Sequence, residues 1–542
     1  MRMACRWVIG VLCLVVVAGS VVSAQSVADS YTPVTDEMLV DPAPGDWPMW
    51  RRTYGHWGHS PLDQINTSNV GTLRLAWAWT MGEGLQETTP LVHDGMMFLV
   101  QACDFVEALD VRDGSRIWQY RRERVDHAAR LSCANRNGAL YQDKLFIATH
   151  DAHLVALDAR TGDVAWDVEV GDWTIGQHYS GGPMVIKGRV VAGMSGCYHL
   201  NTRCWVSAHD VDTGEEAWRT YTIPGRGEFG YDSWGDVPDE DRRGGSAWNS
   251  PSYDPELNLI YTGVGVPIPW GSVQRGTGDG DVLYTNSTLA LNADTGDIVW
   301  YFQHIPNDEW DLDHPYARLV VETEVSPDAA VRWKNSSITP GGRRKIVTGI
   351  PGKTGIVWAL DAATGAFLWA EPTNYQNVVV DIDAESRRVI LNSALKFPEV
   401  GKPVFVCPSA LGGINWQATA YHPGTNALYA PTNNVCMDLT LNQFRDRPGA
   451  HHGSARIAQA PAPDINGEIG QFTAMDLATG QPLWVYRQRA GMGGSVLTTG
   501  GGLVFVTDDA RRFRAFDARS GDILWEQILN SSAGGFPVSY MH

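Results

Sequence analysis

The chain has 542 residues, 44% hydrophobic and 10% aromatic, enough for a large core. A formal net charge of −19 excludes nucleic acid as a partner and favours a basic one, such as an electron-carrier protein. Its 8 cysteines include no CxxC array and no CxxCH sequence, which argues against structural zinc and against covalent haem.

In chain order, Arg2 and Arg6, the apolar stretch Val8 to Val17 and the small residues Val22-Ser23-Ala24 predict a secretory signal over residues 1–24, leaving Gln25 as the first mature residue. The apolar stretch is short for a membrane span, and no other stretch could cross. Export predicts a periplasmic, oxidising setting. Cys5 and Cys13 leave with the signal, and the six remaining cysteines are expected as pairs. Cys197 and Cys204 bracket a short hairpin, Cys407 and Cys436 flank a stretch without repeats, and Cys103 and Cys133 are left over. Residues 25–45 are polar and contain proline, and read as an arm. Asp46-Trp47-Pro48 opens the ordered part, and Leu73 to Trp79 is expected as a strand.

Then one pattern recurs seven times: a small residue, an Asp or Asn two positions on, Thr-Gly or a variant, and a Trp. The copies are VEALDVRDGSRIW (ending at Trp118), LVALDARTGDVAW (Trp166), VSAHDVDTGEEAW (Trp218), LALNADTGDIVW (Trp300), VWALDAATGAFLW (Trp369), FTAMDLATGQPLW (Trp484) and FRAFDARSGDILW (Trp525). Each reads as a β-hairpin whose Asp bonds turn amides, whose Gly supplies positive φ and whose Trp fills the gap to the next sheet. Such a repeat predicts an all-β propeller. The widest gap, Trp369 to Trp484, has room for an unmarked blade, so the expectation is one eight-bladed disc over residues 46–542. Gly225 to Ser250, Ser393 to Ala420 and Leu439 to Gly467 interrupt the repeat, and such loops are where a propeller places function.

Asp311 and Asp313 alternate around Leu312, and in an extended segment both carboxylates would face one side and could share a hard cation. Read on spacing alone, they suit a solvated acidic turn as well.

The repeats, together with HSPLDQINTSNVGTLRLAWAW (His59 to Trp79), ETTPLVHDGMMF (Glu87 to Phe98) and NDEWDLD (Asn307 to Asp313), resemble the quinoprotein alcohol dehydrogenases. CYHLNTRCWVSAHD and RKIVTGIPGKTGIVWALD look most like the sorbose/sorbosone dehydrogenase branch. The resemblance implies pyrroloquinoline quinone (PQQ), a calcium or lanthanide ion, and oxidation of an alcohol, polyol or sugar, with electrons passing to a separate cytochrome c or quinone. It implies Trp248 as the stacking floor under the quinone and Glu87, Arg136, Ser180, Ser195, Lys353 and Asn415 as polar contacts. Lys353 would lie near the reactive oxygens, Asp311 would be the catalytic base and a metal ligand, and Asp313 would be the further carboxylate of lanthanide-using members.

The departures are specific. Tyr198 and Val266 fall where the family carries a ligating Glu and a ligating Asn, Cys133 stands without an adjacent cysteine, and a capping Trp is replaced near Met492. The sequence stops at Ser539-Tyr540-Met541-His542, where members continue with a strand that closes the last blade. The alternative reading is a non-catalytic propeller of the same repeat acting as a protein-binding scaffold.

Overall fold

The computed structural model describes residues 25–123, 133–444 and 455–542. The expected signal over residues 1–24 lies outside the described residues. Among the described residues no helix is long and apolar enough to cross a membrane.

Seven antiparallel sheets of four or five strands carry the seven repeats, each assembled mainly from neighbouring hairpins. The first runs Leu91–His93, Met96–Gln101, Phe105–Asp110 and Arg116–Arg121. The last runs Leu497–Thr499, Leu503–Thr507, Arg512–Asp517 and Ile523–Ile528, and the N-terminal strand His59–Ser60 adds to it in parallel.

The repeat has a register behind it. In all seven copies the Trp stands opposite the Ala of its own hairpin (Ala108 opposite Trp118, Ala156 opposite Trp166, through Ala515 opposite Trp525), and a bulge follows that Ala. A small residue across the ladder leaves the indole room to lean toward the neighbouring sheet. In five copies the indole N–H there donates to the carbonyl of the residue after the next copy's Asp or Asn. Trp118 bonds Ala159 at 2.9 Å, Trp166 bonds Val211 at 3.0 Å and Trp300 bonds Ala362 at 3.0 Å. In six copies, all but the one ending at Trp525, the ring covers the next copy's Gly: a Cβ on Gly365 would stand 2.4 Å from Trp300, and one on Gly162 2.6 Å from Trp118.

This docking fixes the order of the blades and corrects two expectations. Trp369 covers Gly480, the glycine of the copy that ends in Trp484, so those two sheets are direct neighbours. Among the described residues no unmarked blade lies between them. The intervening chain forms a hairpin, Val379–Asp383 with Arg388–Leu391, and a side sheet of Pro403–Val406, Val435–Leu441 and Ala455–Pro461. The last two of those strands are inserted between neighbours Ala427–Asn433 and Gly470–Asp476. The unmarked place on the ring is the seam between Trp525 and Trp77. Trp77 docks on Gly114 and bonds Val111 as a repeat Trp would, yet residues 73–79 form no strand. They pack with Trp525, Val538 and Tyr540 in one apolar cluster.

The expected arm is docked rather than free. It carries the short helix Asp36–Val40, buries Tyr31, Val34 and Leu39, and bridges Val34 to Gln142. The six cysteines are bonded as Cys103–Cys133, Cys197–Cys204 and Cys407–Cys436.

Candidate active site

The residues singled out above come from different sheets, and two sets of contacts, around Arg136 and around Lys353, gather most of them. Lys353 follows the strand Gly342–Gly349, Ser195 follows Arg189–Gly193, and Glu87, Arg136, Trp248 and Asp311 sit on connections between sheets. These are the positions where a rigid β scaffold presents functional loops.

Arg136 organises one half. Its guanidinium pairs with Glu87 at 2.5 Å, donates to the Ser180 carbonyl at 2.9 Å and lies over the Trp248 ring at 4.8 Å. Glu87 and Arg136 are both buried. Burial pushes the Glu87 carboxyl up, and Arg136 opposes that rise. Trp248 in turn meets Tyr316 edge-on at 5.2 Å, and the Tyr316 hydroxyl donates to Asn415 Oδ1 at 2.9 Å. Ser180 therefore enters through its backbone, and Asn415 through Tyr316. Tyr316 has no signal in the repeat pattern; its place three residues beyond Asp313 is the one clue in the sequence.

Lys353 organises the other half. Its ammonium reaches Asp311 Oδ2 at 2.9 Å and Asp313 Oδ2 at 3.0 Å. The Lys353 N–H donates to the Asp313 carbonyl at 2.8 Å, and the Val266 N–H donates to Asp313 Oδ1 at 3.1 Å. Burial works against the Lys353 charge, but Asp311 and Asp313 outweigh it and hold the ammonium well above its ordinary range. Burial pushes the Asp311 carboxyl well above its ordinary value; Lys353 draws it back and Asp313 adds to the rise. The two carboxylates do converge, but not through strand alternation. Asp311 has φ +63° in an irregular turn, so the extended geometry expected for this pair is corrected.

PQQ is a flat, polycarboxylate quinone, and the chain provides for each property. The half-buried Trp248 offers an aromatic face. Arg136 Nε and Ser195 Oγ are buried without a protein partner, which suits them to an anionic ligand. For an ion, Asp311 and Asp313 are the available carboxylates. Val266 brings an apolar side chain, and burial first, then Asp313, raises the Tyr198 phenol, keeping it neutral. Among the described residues no group of three or more His, Cys, Asp or Glu side chains gathers to hold a metal. Met492, near the place of the family's capping Trp, is buried and receives Gln488 Nε2 on its sulfur at 3.5 Å.

A family model described as "Glucose/ethanol/alcohol dehydrogenase, beta-propeller domain", a PQQ family, matches residues 47–370 and 465–542. The quinohemoprotein alcohol dehydrogenase ADH IIB of Pseudomonas putida is 32% identical over 515 residues, spanning 92% of this chain and 72% of the relative. The quinoprotein alcohol dehydrogenase PedH of Pseudomonas putida is 33% identical over 512 residues, spanning 89% and 82%. Among solved structures, the quinohemoprotein alcohol dehydrogenase ADHIIG from Pseudomonas putida HK5 superposes with a TM-score of 0.85 at 32% identity, covering 94% of this chain and 77% of that one. A europium-containing methanol dehydrogenase superposes at 0.83 with 29% identity, covering 92% and 88%.

Proposed function

Since the chain belongs to the PQQ-dependent alcohol dehydrogenase family of β-propellers, we propose that it is an exported, periplasmic enzyme that oxidises an alcohol, polyol or sugar and delivers the electrons to a separate carrier. One observation carries the reading: a buried ammonium, Lys353, held between the carboxylates of Asp311 and Asp313. A scaffold has no use for that arrangement.

PQQ, when bound, supplies a quinone that accepts hydride from the carbinol carbon. Arg136 and Ser195 would anchor its carboxylates, and Trp248 would orient its plane. Asp311 would take the proton of the substrate hydroxyl on its carboxylate. Lys353 would counter the negative charge that the quinone oxygens gain on accepting hydride, from a site where it is already fixed and desolvated. An ion, where the enzyme uses one, would be held by Asp311 and Asp313. The net charge of −19 supports a basic carrier such as a cytochrome c as electron acceptor, and the basic, apolar and small-residue order of residues 1–24 supports export.

The test is titration of the purified chain with PQQ, with calcium or lanthanum in separate cells, following tryptophan fluorescence and dye reduction with a panel of alcohols, polyols and sugars. Saturable quenching with substrate-dependent dye reduction is expected. Absence of PQQ binding under both ions would overturn the enzyme reading in favour of a scaffold.

A further inference from the structure

Asp311 sits in the left-handed backbone region, which a non-glycine residue holds only when its surroundings impose it. The surroundings are specific. Asp308, 1% exposed, accepts the Trp310 N–H on Oδ1 at 2.5 Å and the Leu312 N–H on Oδ2 at 2.8 Å. The same Oδ2 accepts from Asn286 Nδ2 at 2.5 Å. Asn286 Nδ2 also donates to the Leu312 carbonyl at 3.2 Å, where His314 Nδ1 donates at 2.7 Å. Asn286, just before the strand Ser287–Asn292, is anchored by its N–H on the Gly265 carbonyl at 3.0 Å and its carbonyl on the His304 N–H at 2.9 Å.

The Leu312 N–H belongs to the peptide that follows Asp311, and the Leu312 carbonyl to the peptide that precedes Asp313. Both peptides flanking Leu312 are therefore pinned, one by Asp308 and one by Asn286. We propose that Asp308 and Asn286 are positioning residues that set Asp311 and Asp313 against the Lys353 ammonium, and so hold the proton-accepting carboxylate in register with the substrate hydroxyl. Neither touches the reacting atoms. This rests on the dehydrogenase reading above. A buried carboxylate that caps a turn can also serve stability alone, and the two roles differ in what they move: loss of a capping bond lowers stability, whereas loss of register lowers turnover without loosening substrate.

Asp308→Asn replaces an acceptor oxygen by a donor where three N–H donors converge. Asn286→Ser removes the amide bonds to Asp308 and to the Leu312 carbonyl but keeps both backbone bonds to Asp308 and the His314 bond to that carbonyl, so it is the milder variant. Both are measured against the wild-type chain. In Asp308→Asn, kcat is expected to fall about 10- to 100-fold, the scale of a displacement near 1 Å. KM for the alcohol and the affinity for PQQ, read by tryptophan quenching, should stay nearly unchanged. Asn286→Ser should fall in the same direction by less. On the cofactor-free chain, amide exchange over residues 307–314 should accelerate in both variants. Unchanged kcat in folded variants, even with a lower denaturation midpoint, would overturn the positioning role. Unchanged exchange over 307–314 would overturn the clamp itself. A wild-type chain that neither binds PQQ nor oxidises an alcohol would instead overturn the dehydrogenase reading, and with it a catalytic purpose for the clamp.

Discussion

The Trp369 ring lies over Gly480, so the hairpin that ends in Trp369 and the hairpin that ends in Trp484 are neighbours on the disc despite the long chain between them. The same contact recurs around the ring, one indole per glycine. The stability of the disc therefore rests on pairs formed between successive repeats rather than within them.

A methyl group added at a receiving glycine should break such a pair. Gly365 has φ +67°, and its Cβ would stand 2.4 Å from Trp300, whereas Gly276 has φ +80° with open space around it. Gly276→Ala should cost about 1 kcal/mol from backbone strain alone. Gly365→Ala adds displacement of a packed indole and should cost about 2 to 4 kcal/mol. Denaturant midpoints of the two variants compare them directly; equal losses would mean that the close approach to Trp300 contributes nothing.

How far the sequence speaks can be read from the same residues. The hairpins, their Asp turns and their docking tryptophans are local, and the pattern shows them because Ala opposite Trp is a short-range ladder pair. The position of the unmarked seam is not local. It depends on which glycine Trp369 reaches, and the side sheet inserted before Gly480 hides that partner. Glu87, Arg136, Trp248 and Lys353 stand outside the repeat, so their grouping came from resemblance and not from spacing. The convergence of Asp311 and Asp313 was expected for a strand and arises instead from a left-handed turn, imposed by Asp308 and Asn286 through backbone groups that carry no sequence signal.

Arg136 makes three contacts that a lysine cannot reproduce together: the pair with Glu87, the bond to the Ser180 carbonyl and the stack on Trp248. Arg136→Lys should weaken PQQ binding by about tenfold or more, the worth of one charge-assisted hydrogen bond. Tryptophan quenching on titration with PQQ measures this. An unchanged affinity would remove Arg136 from the cofactor contacts.

Lys353 and a metal ion would draw on the same carboxylate oxygens of Asp311 and Asp313. Lys353→Met leaves two buried carboxylates without their cation, which should cost about 3 to 5 kcal/mol in stability and abolish alcohol oxidation. It should also raise affinity for a trivalent ion, since the ammonium no longer competes. Terbium luminescence excited through tryptophan checks this on the wild-type chain, Lys353→Met and Lys353→Met/Asp313→Ala. Tighter binding in the first variant and its loss in the second are expected. Equal binding in all three would place the ion elsewhere.

The docked arm should respond to pH through His93. Both ring nitrogens of this buried histidine face acceptors: Nδ1 meets Asp46 Oδ2 at 2.7 Å, and Nε2 meets the Thr32 carbonyl at 2.9 Å. Only the doubly protonated ring can donate to both. Burial works against that charge, but the hydrogen bond to Asp46 and the charges of Asp46 and Asp94 outweigh it and raise the His93 pKa above its ordinary value. The folded chain then binds this proton more tightly than the unfolded one. The resulting stabilisation is complete below about pH 6.5, the unperturbed value, and is lost as pH rises through the folded pKa. His93→Gln removes the titrating group. The stability difference between the wild-type chain and this variant, taken from denaturant unfolding from about pH 6 to about pH 9, should favour the wild type most at the acid end and shrink steadily toward the alkaline end. A difference that stays constant, or grows with pH, would show that the imidazolium does not hold the arm.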